Sequence, residues 1–287
     1  MVEARLLGSA QDAGLPHIGC DCANCRAARR DPSLQRHASC LALIADGRGW
    51  LIDATPQIAT QVQRLSEALQ RPARKALAGI LLTHAHMGHL AGLWQLGREA
   101  WACHALPIFA TESLARFLQR NEPWASLIRE GHLALTIWRA GQPLALADGL
   151  HVTPIAVPHR AEWSDTVAVA VEGPRKRLFY CPDIDVWEPA GAPWFAPAPS
   201  LRAFFDRFEV ALIDATFFSA SELPGRDLSQ IPHPLVTDSV ARLEGTTAAL
   251  TLIHLNHSNP LLRDGPERAW AVARSLQIGQ EGARWAL

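Results

Sequence analysis

Residues 80–90 constrain the fold of this chain more than any other stretch. The first residues are apolar and of the kind that form a buried strand, and the sequence then turns polar. His84, His86 and His89 follow within six residues. Neutral imidazole is the commonest protein ligand for zinc and similar metals. We therefore predict a metal site at the mouth of a β-sheet, and prefer this interpretation to a histidine-rich surface turn.

The same arrangement, an apolar strand followed by a histidine or an aspartate, recurs later in the chain. Residues 151–157 lead to His159, residues 177–181 lead to Asp183, and residues 249–253 lead to His254. A β-sandwich can open several strand ends on one edge, where loops carry functional side chains on a rigid scaffold. We therefore expect these ligand-type side chains to converge on one site.

The composition fits one large domain without a nucleic-acid or membrane role. The 287 residues are 48% hydrophobic, which is enough for a large core, and we treat residues 1–287 as a single domain. A formal net charge of −1 gives no bulk attraction to nucleic acid. No apolar window is long enough to predict a membrane span, and residues 1–5 do not begin a recognisable secretory signal. We expect a cytoplasmic protein.

Three cysteines near the N-terminus form a second candidate metal site. Cys20, Cys22 and Cys25 have the spacing C-x-C-x-x-C, which can place three thiolates around one tetrahedral ion. We expect structural zinc, with disulfide or redox use and unligated thiols as alternatives. A distant residue must complete the site. We expect His233, which two prolines hold rigidly, with Cys40 as the competitor.

Residues 39–46 and 49–54 predict a β-hairpin, because an Asp-Gly turn separates two apolar runs. Asp53, at the exit of the second strand, could be a helix cap or loop anchor, or could face the metal. Apolar residues at helical spacing predict helices over residues 58–69 and 90–100.

The segment Thr-His-Ala-His-Met-Gly-His at residues 83–89 resembles the His-x-His-x-Asp-His signature of the metallo-β-lactamase fold superfamily. Within it, the chain is similar to the group that contains the pyrroloquinoline-quinone biosynthesis protein B. The segments that carry this similarity are residues 7–10, 19–25, 214–217 and 254–260. The cysteine group with a later histidine also resembles the cyclic phosphodiesterase of phosphonate catabolism. The resemblance covers nearly the whole chain and implies an α+β fold, the four-layer αββα sandwich.

The resemblance also implies a set of metal ligands. His84, His86 and His159 would hold one ion, His89 and His254 a second, and Asp183 would bridge the two. Asp53 would support the metal loop without binding the ion. Gly88 stands where the superfamily has an aspartate that binds the second ion. We therefore expect one firmly bound ion and a weaker second one, unless Asp185, His257 or Asp165 replaces the missing carboxylate.

Three functions are compatible with these residues. The first is a metal-dependent hydrolase, in which a bound Zn, Fe or Mn ion produces hydroxide that attacks a phosphodiester or other ester. In it, Asp183 would hold the hydroxide and His257 or Asp185 would donate a proton to the leaving group. The second, implied by the resemblance, is an iron-dependent oxygenase of quinone-cofactor biosynthesis that acts on a tyrosine-derived peptide. The third is a non-catalytic carrier of the same fold.

The expected partner is therefore a small-molecule or peptide substrate, with no nucleic acid and no membrane. The sequence is compatible with a homodimer but does not fix the oligomeric state.

Overall fold

The computed structural model describes residues 1–223 and 230–287. The first of its two sheets is built from the N-terminal half of the chain and the final strand. Its strands are β1 (Glu3–Gly8), β2 (Cys40–Ala45), β3 (Arg48–Ile52), β4 (Leu77–Leu81), β5 (Leu106–Ala110), β6 (Leu133–Ile137) and β14 (Arg284–Ala286). They lie in the order β14-β1-β2-β3-β4-β5-β6, and β3 to β6 run parallel to one another.

The second sheet comes from the C-terminal half. Its strands are β7 (Leu144–Ala147), β8 (Leu150–Ala156), β9 (Val167–Glu172), β10 (Arg177–Cys181), β11 (Val210–Asp214), β12 (Ala249–Ile253) and β13 (Gln277–Ile278). They lie in the order β13-β12-β11-β10-β9-β8-β7, and β10 to β13 are parallel. In both sheets, then, consecutive parallel strands send their carboxyl ends to one edge.

Short helices connect the strands, and most of them cover the outer faces of the sheets. They are α1 (Ala23–Arg30), α2 (Ile58–Leu69), α3 (Ala73–Ala76), α4 (Met87–Leu90), α5 (Glu112–Arg120), α6 (Trp124–Arg129), α7 (Leu201–Phe205), α8 (Val236–Arg242) and α9 (Pro266–Val272). Turns of 3-10 helix add Pro32–Leu34, Ala91–Leu96 and Pro260–Leu262. None of the helices in the described ranges combines the length and apolarity needed to cross a bilayer.

Three buried apolar layers separate the four layers of secondary structure. Side chains such as Leu41 and Leu178 fill the space between the two sheets. Ile58 and Leu114 belong to the layer between the first sheet and its helices, and Phe205 to the corresponding layer of the second sheet. Burial of apolar surface on both sides of each sheet is the main stabilising term. The predicted α+β sandwich is confirmed.

The helix predicted over residues 58–69 is confirmed, but the one predicted over 90–100 is wrong. The chain forms α4 and then a 3-10 turn, Ala91–Leu96. A Cβ at Gly92 would lie 2.1 Å from the carbonyl oxygen of Thr55. The backbone at Gly92 therefore packs closely against residues 54–55, and the chain there forms the tighter and shorter 3-10 turn in place of an α-helix.

Candidate metal centre

The polar residues of the site follow neighbouring parallel strands at the same edge of the sandwich. Asp53 follows β3 and His84 lies shortly after β4 in the first sheet. In the second sheet Asp183 follows β10, Asp214 ends β11 and His254 follows β12. The two sheets pack face to face, and these strands end at the same edge. The side chains just beyond the strand ends therefore meet at that edge, between the two sheets.

Three histidines and one aspartate form the first group. Nε2 of His84 and Nε2 of His159 lie 3.0 and 3.1 Å from Nδ1 of His86. Oδ2 of Asp183 is 3.4 Å from Nε2 of His84, and its Oδ1 is 3.6 Å from Nε2 of His159. These atoms surround one point, as expected for ligands of a single ion.

Asp183 also faces a second group of histidines. Its Oδ2 lies 3.0 Å from Nε2 of His89 and 3.4 Å from Nε2 of His254. Although both ring nitrogens are buried, neither makes a well-aligned hydrogen bond to the described residues. A buried nitrogen without a hydrogen bond destabilises the fold unless it binds a ligand. Each group could therefore hold an ion, with Asp183 between the two.

In five of the histidine rings, Nδ1 makes a hydrogen bond that holds the ring in place. The Nδ1 partners are Thr83 for His84 (2.9 Å), Asp53 for His89 (2.7 Å), Asp185 for His159 (2.7 Å), Asp214 for His233 (2.7 Å) and Thr216 for His254 (2.9 Å). A partner of this kind fixes the orientation of a metal-binding imidazole and raises its basicity. His86 is turned the other way, with Nε2 3.1 Å from Oε2 of Glu162.

The electrostatics of the site keep one aspartate ionised and two of the histidines neutral, which are the forms in which these side chains bind a cation. Burial lowers the pKa of His84 well below its ordinary value and also lowers the pKa of His254, so both rings are neutral near pH 7. Burial would raise the pKa of Asp183, but the surrounding histidines, His254 and His159 first, hold it well below its usual range. For His89, Asp53 and Asp183 outweigh burial and raise the pKa well above 6.5. A buried anion among imidazoles can compensate the charge of a cation.

His233 lies in this site and not at the cysteines, so its expected role as their zinc ligand is wrong. Its Nδ1 is 2.7 Å from Oδ2 of Asp214 and 3.5 Å from Oδ1 of Asp183. Burial lowers its pKa, but the two carboxylates outweigh burial and raise it to about 9. The fold carries the Pro-His-Pro segment to the site at Asp183 and Asp214.

The histidine at the cysteines is His257. Its Nδ1 lies 3.4 Å from Sγ of Cys20 and 3.6 Å from Sγ of Cys22, and Cys25 completes the group. Its expected place as an acid or ligand in the His/Asp site is therefore wrong. Cys40 is the buried first residue of β2, and its Sγ donates to the carbonyl of Asp53.

The residues of the cysteine group could hold an ion. Burial opposes ionisation of Cys22, but the backbone N–H groups of Cys25 and Asn24, with the neighbouring thiols, lower its pKa. Burial raises the pKa of Cys25 to about 12. A bound cation would reverse that shift, since a coordinating thiol is deprotonated. Asn24 Nδ2 donates to the carbonyls of His257 and Asn259, both at 3.0 Å, which ties the N-terminal cysteines to the segment after β12.

Two of the acids expected to act at the second ion have other positions. Asp185 accepts from Nδ1 of His159, so it orients a ligand and does not face the second group. Asp165 is hydrogen-bonded by the hydroxyls of Thr111 and Ser113. Both carboxylates are therefore engaged away from the second group, and proton donation by Asp185 stays a prediction.

A cavity of about 390 Å³ leads to the two groups. Besides Asp183, His233 and His254 it is lined by Arg160, Glu162 and Trp163. Nε of Arg160 is buried without a hydrogen-bond partner among the described residues. A cationic and an aromatic side chain therefore stand at the entrance to a cluster of histidines, where they can contact an anionic or planar substrate.

The sequence interpretation missed Asp12, Asp214 and Thr216 as parts of the site. Asp214 follows the pattern of a polar residue at a strand end, and that signal could have found it. Asp12 lies in the loop after β1 with no regular strand end to mark it, yet its carboxylate lies close to His89 and His254.

The sequence of this chain is similar to those of known proteins. The family described as "Beta-lactamase superfamily domain" matches residues 48–273. A coenzyme PQQ synthesis protein B of Ruegeria pomeroyi is 30% identical over 304 residues, covering 96% of this chain and 97% of the relative. Its counterpart in Azotobacter vinelandii is 28% identical over 317 residues, covering 97% of each.

Solved structures share the fold. Zn²⁺-bound PqqB from Methylobacterium extorquens superposes with a TM-score of 0.82 at 23% identity, covering 99% of this chain and 100% of that one. A diphosphatase from the PhnP family superposes with a TM-score of 0.68 at 20% identity, covering 99% and 96%. The chain therefore belongs to the beta-lactamase superfamily, and within it to the group of the coenzyme PQQ synthesis B proteins.

Proposed function

We propose that this chain is a metal-dependent hydrolase that acts on a phosphodiester or another ester. The observation that carries the proposal is the convergence of His84, His86, His159 and Asp183 on one point, with His89 and His254 beside the same carboxylate. A divalent ion at such a site supplies a Lewis acid and lowers the pKa of a coordinated water to about 7. Zn, Mn and Fe all accept this ligand set.

Asp183 is the residue placed to hold the nucleophilic water. Its Oδ2 lies 3.4 Å from Nε2 of His84 in the first group and 3.0 Å from Nε2 of His89 in the second, so a water between the groups lies within reach of the carboxylate. The carboxylate stays ionised because the neighbouring imidazoles lower its pKa. It can therefore accept a hydrogen bond from the water and orient its lone pair toward the substrate.

His233 is the candidate proton donor to the leaving group, in place of His257 and Asp185. Its Nδ1 is held by Asp214, and its Nε2 is buried without a partner among the described residues while the ring lines the cavity. A leaving oxygen that enters the cavity could take a proton from this nitrogen. General acid catalysis of this kind typically contributes about 10²–10⁴-fold to the rate.

Arg160 favours an anionic ester among the possible substrates. It lines the cavity, and its nearest carboxylate, that of Glu162, lies 3.8 Å away, too far for a direct hydrogen bond. A guanidinium binds phosphate oxygens bidentately. The substrate class is thus a small or peptide-borne phosphodiester, with uncharged esters as weaker substrates.

The cysteine group is proposed to hold a structural zinc ion. Three thiol sulfurs and one imidazole are the ligands of many closed, four-coordinate zinc sites. The group joins α1 to the segment after β12, so the ion would fasten the N-terminal loop to the second sheet.

The test of the hydrolase is a matched set of variants assayed with bis-p-nitrophenyl phosphate and measured for metal content. His86→Ala should lose the ion of the first group and at least about 10³-fold in kcat/KM, while the fold is kept, because His86 is partly exposed. His104→Ala, at an exposed histidine outside the site, is the control. Equal turnover by His86→Ala and the control would refute the assignment.

The relatives favour one other function. Because proteins matching this chain over nearly its whole length carry names of coenzyme PQQ synthesis, the second candidate is an iron-dependent oxygenation of a tyrosine-derived peptide. Histidine and carboxylate ligands with open positions suit Fe(II) and oxygen.

One preparation separates the two candidates. The protein is purified without added metal, loaded anaerobically with either Fe(II) or Zn(II), and each form is assayed for ester hydrolysis and for oxygen uptake with a tyrosine-containing peptide. Hydrolysis by the zinc form supports the hydrolase. Peptide-dependent oxygen uptake by the iron form alone, without hydrolysis by either form, supports the oxygenase.

A further inference from the structure

Gly88 stands where the superfamily signature has an aspartate, and its surroundings leave no room for a side chain. A Cβ built on Gly88 would lie 2.2 Å from Oδ1 and 2.6 Å from Cα of Asp12. These distances are well below any van der Waals contact. The space that an aspartate at position 88 would use is therefore already filled, and it is filled by the carboxyl group of another aspartate.

The Asp12 carboxylate lies beside the second histidine group. One of its oxygens and one ring nitrogen each of His89 and His254 lie within 4.8 Å of one another. An ion with ligands at about 2.0–2.2 Å fits within a set of atoms spaced in this way. Asp12 also lines the cavity that leads to Asp183.

The loop that carries Asp12 is fastened to the segment that carries His254. The N–H of Gln11 donates to the carbonyl of Leu255 at 3.0 Å, and the N–H of Leu255 donates to the carbonyl of Ser9 at 3.0 Å. Ala10 also pairs with Leu255 in an isolated bridge. The backbone between β1 and α1 is therefore held in register with the strand exit of β12, which fixes where the Asp12 side chain begins.

We propose that Asp12 replaces the aspartate missing at position 88 and is the anionic ligand of the second ion. It would complete a set of two imidazoles and two carboxylates with His89, His254 and Asp183. The inference rests on the proposed metal centre but not on the reaction proposed for it. The ligands of the second ion then carry the same total charge as they would with an aspartate at position 88. The weaker binding of the second ion that Gly88 suggested is therefore no longer expected.

The test exchanges the two positions. Zinc is loaded into the full-length protein, and ions per chain and dissociation constants are measured by competition with a chromophoric chelator. Asp12→Ala should weaken the second ion by at least about 100-fold, because loss of a merely supporting partner already costs about 10–100-fold. Gly88→Asp alone should also weaken it, because the new side chain collides with Asp12.

The double variant, with Asp12→Gly and Gly88→Asp, should regain part of the affinity for the second ion, since it removes the collision with the Asp12 carboxyl group and restores a carboxylate, while the 2.6 Å approach to Cα of residue 12 remains. Asp12 has a φ of +28°, which glycine tolerates. An Asp12→Asn variant serves as a near-isosteric check if Asp12→Ala is poorly folded. Unchanged affinity for both ions in Asp12→Ala and Asp12→Asn would overturn the proposal.

The two proposals fail in different ways. A wild-type protein that binds the second ion through Asp12 but hydrolyses no ester contradicts the hydrolase and supports the role of Asp12. An active protein whose Asp12→Ala variant keeps every ion contradicts only the role of Asp12.

Discussion

Nδ1 of His89 lies 2.7 Å from Oδ2 of Asp53, and both side chains are buried. The same carboxylate accepts hydrogen bonds from the backbone N–H of Thr83 at 2.8 Å and from its hydroxyl at 2.9 Å. Asp53 thus orients a histidine of the second group and holds the start of the histidine loop. Its position agrees with the supporting role that the resemblance implies.

Asp53→Asn should weaken binding of the ion near His89 by about 10–100-fold, because an amide is a poorer acceptor and leaves the imidazole less basic. Chelator competition on the zinc-loaded protein measures the change. Asp264→Asn, at a fully exposed carboxylate, is the matched control. Equal affinities in the two variants would show that Asp53 does not act on the ion.

His257→Ala should remove one zinc per chain and lower the melting temperature by at least about 5 °C, or roughly 2 kcal/mol in a domain of this size. The physical reason is that a structural ion contributes its binding free energy to folding. Cys22→Ser should have the same effect. His233→Ala should leave the zinc at the cysteines in place, and loss of that zinc from His233→Ala but not from His257→Ala would reverse our assignment.

Metal binding should release protons and weaken as the solution becomes more acidic. Asp53 and Asp183 raise the pKa of His89 well above 6.5, so its ring carries a proton in the metal-free protein near pH 7. An ion must displace that proton, which makes the apparent affinity fall by up to about tenfold for each unit of pH below the pKa. Calorimetry in buffers of different ionisation enthalpy counts the protons. If metal binding at pH 7 released no protons, the prediction would be contradicted.

The metal-free protein should lose stability between about pH 6.5 and pH 9 through His233. Its pKa is about 9 in the folded chain, above the ordinary 6.5, so the folded state binds this proton more tightly than the unfolded state does. The contribution is fully present below about pH 6.5 and is lost as the pH rises through 9. Its size is on the order of 3 kcal/mol.

Urea unfolding at both ends of this range measures the loss. His233→Gln cannot take up the proton and should show a much flatter dependence on pH. Identical slopes for the wild type and this variant would exclude His233 as a source of the pH dependence.

The sequence by itself determined most of the strands and the chemical types of the residues at their ends, but not the short strands β7, β13 and β14. Apolar runs predict β4, β9, β10 and β12, because burial between layers demands such runs. A histidine or aspartate just past a buried strand must lie at the sheet edge. That local rule was enough to indicate His84, His159, Asp183 and His254 as one group.

Only the tertiary structure decided which distant residue completes each group. Two histidines, His233 and His257, lie outside regular strands, and nothing local shows which of them meets the cysteines. The pairing of the segment after β12 with the N-terminal loop brings His257 to Cys20 and Asp12 to the second histidine group. Such contacts join residues more than 200 positions apart, and they depend on the packing of two sheets and not on sequence spacing.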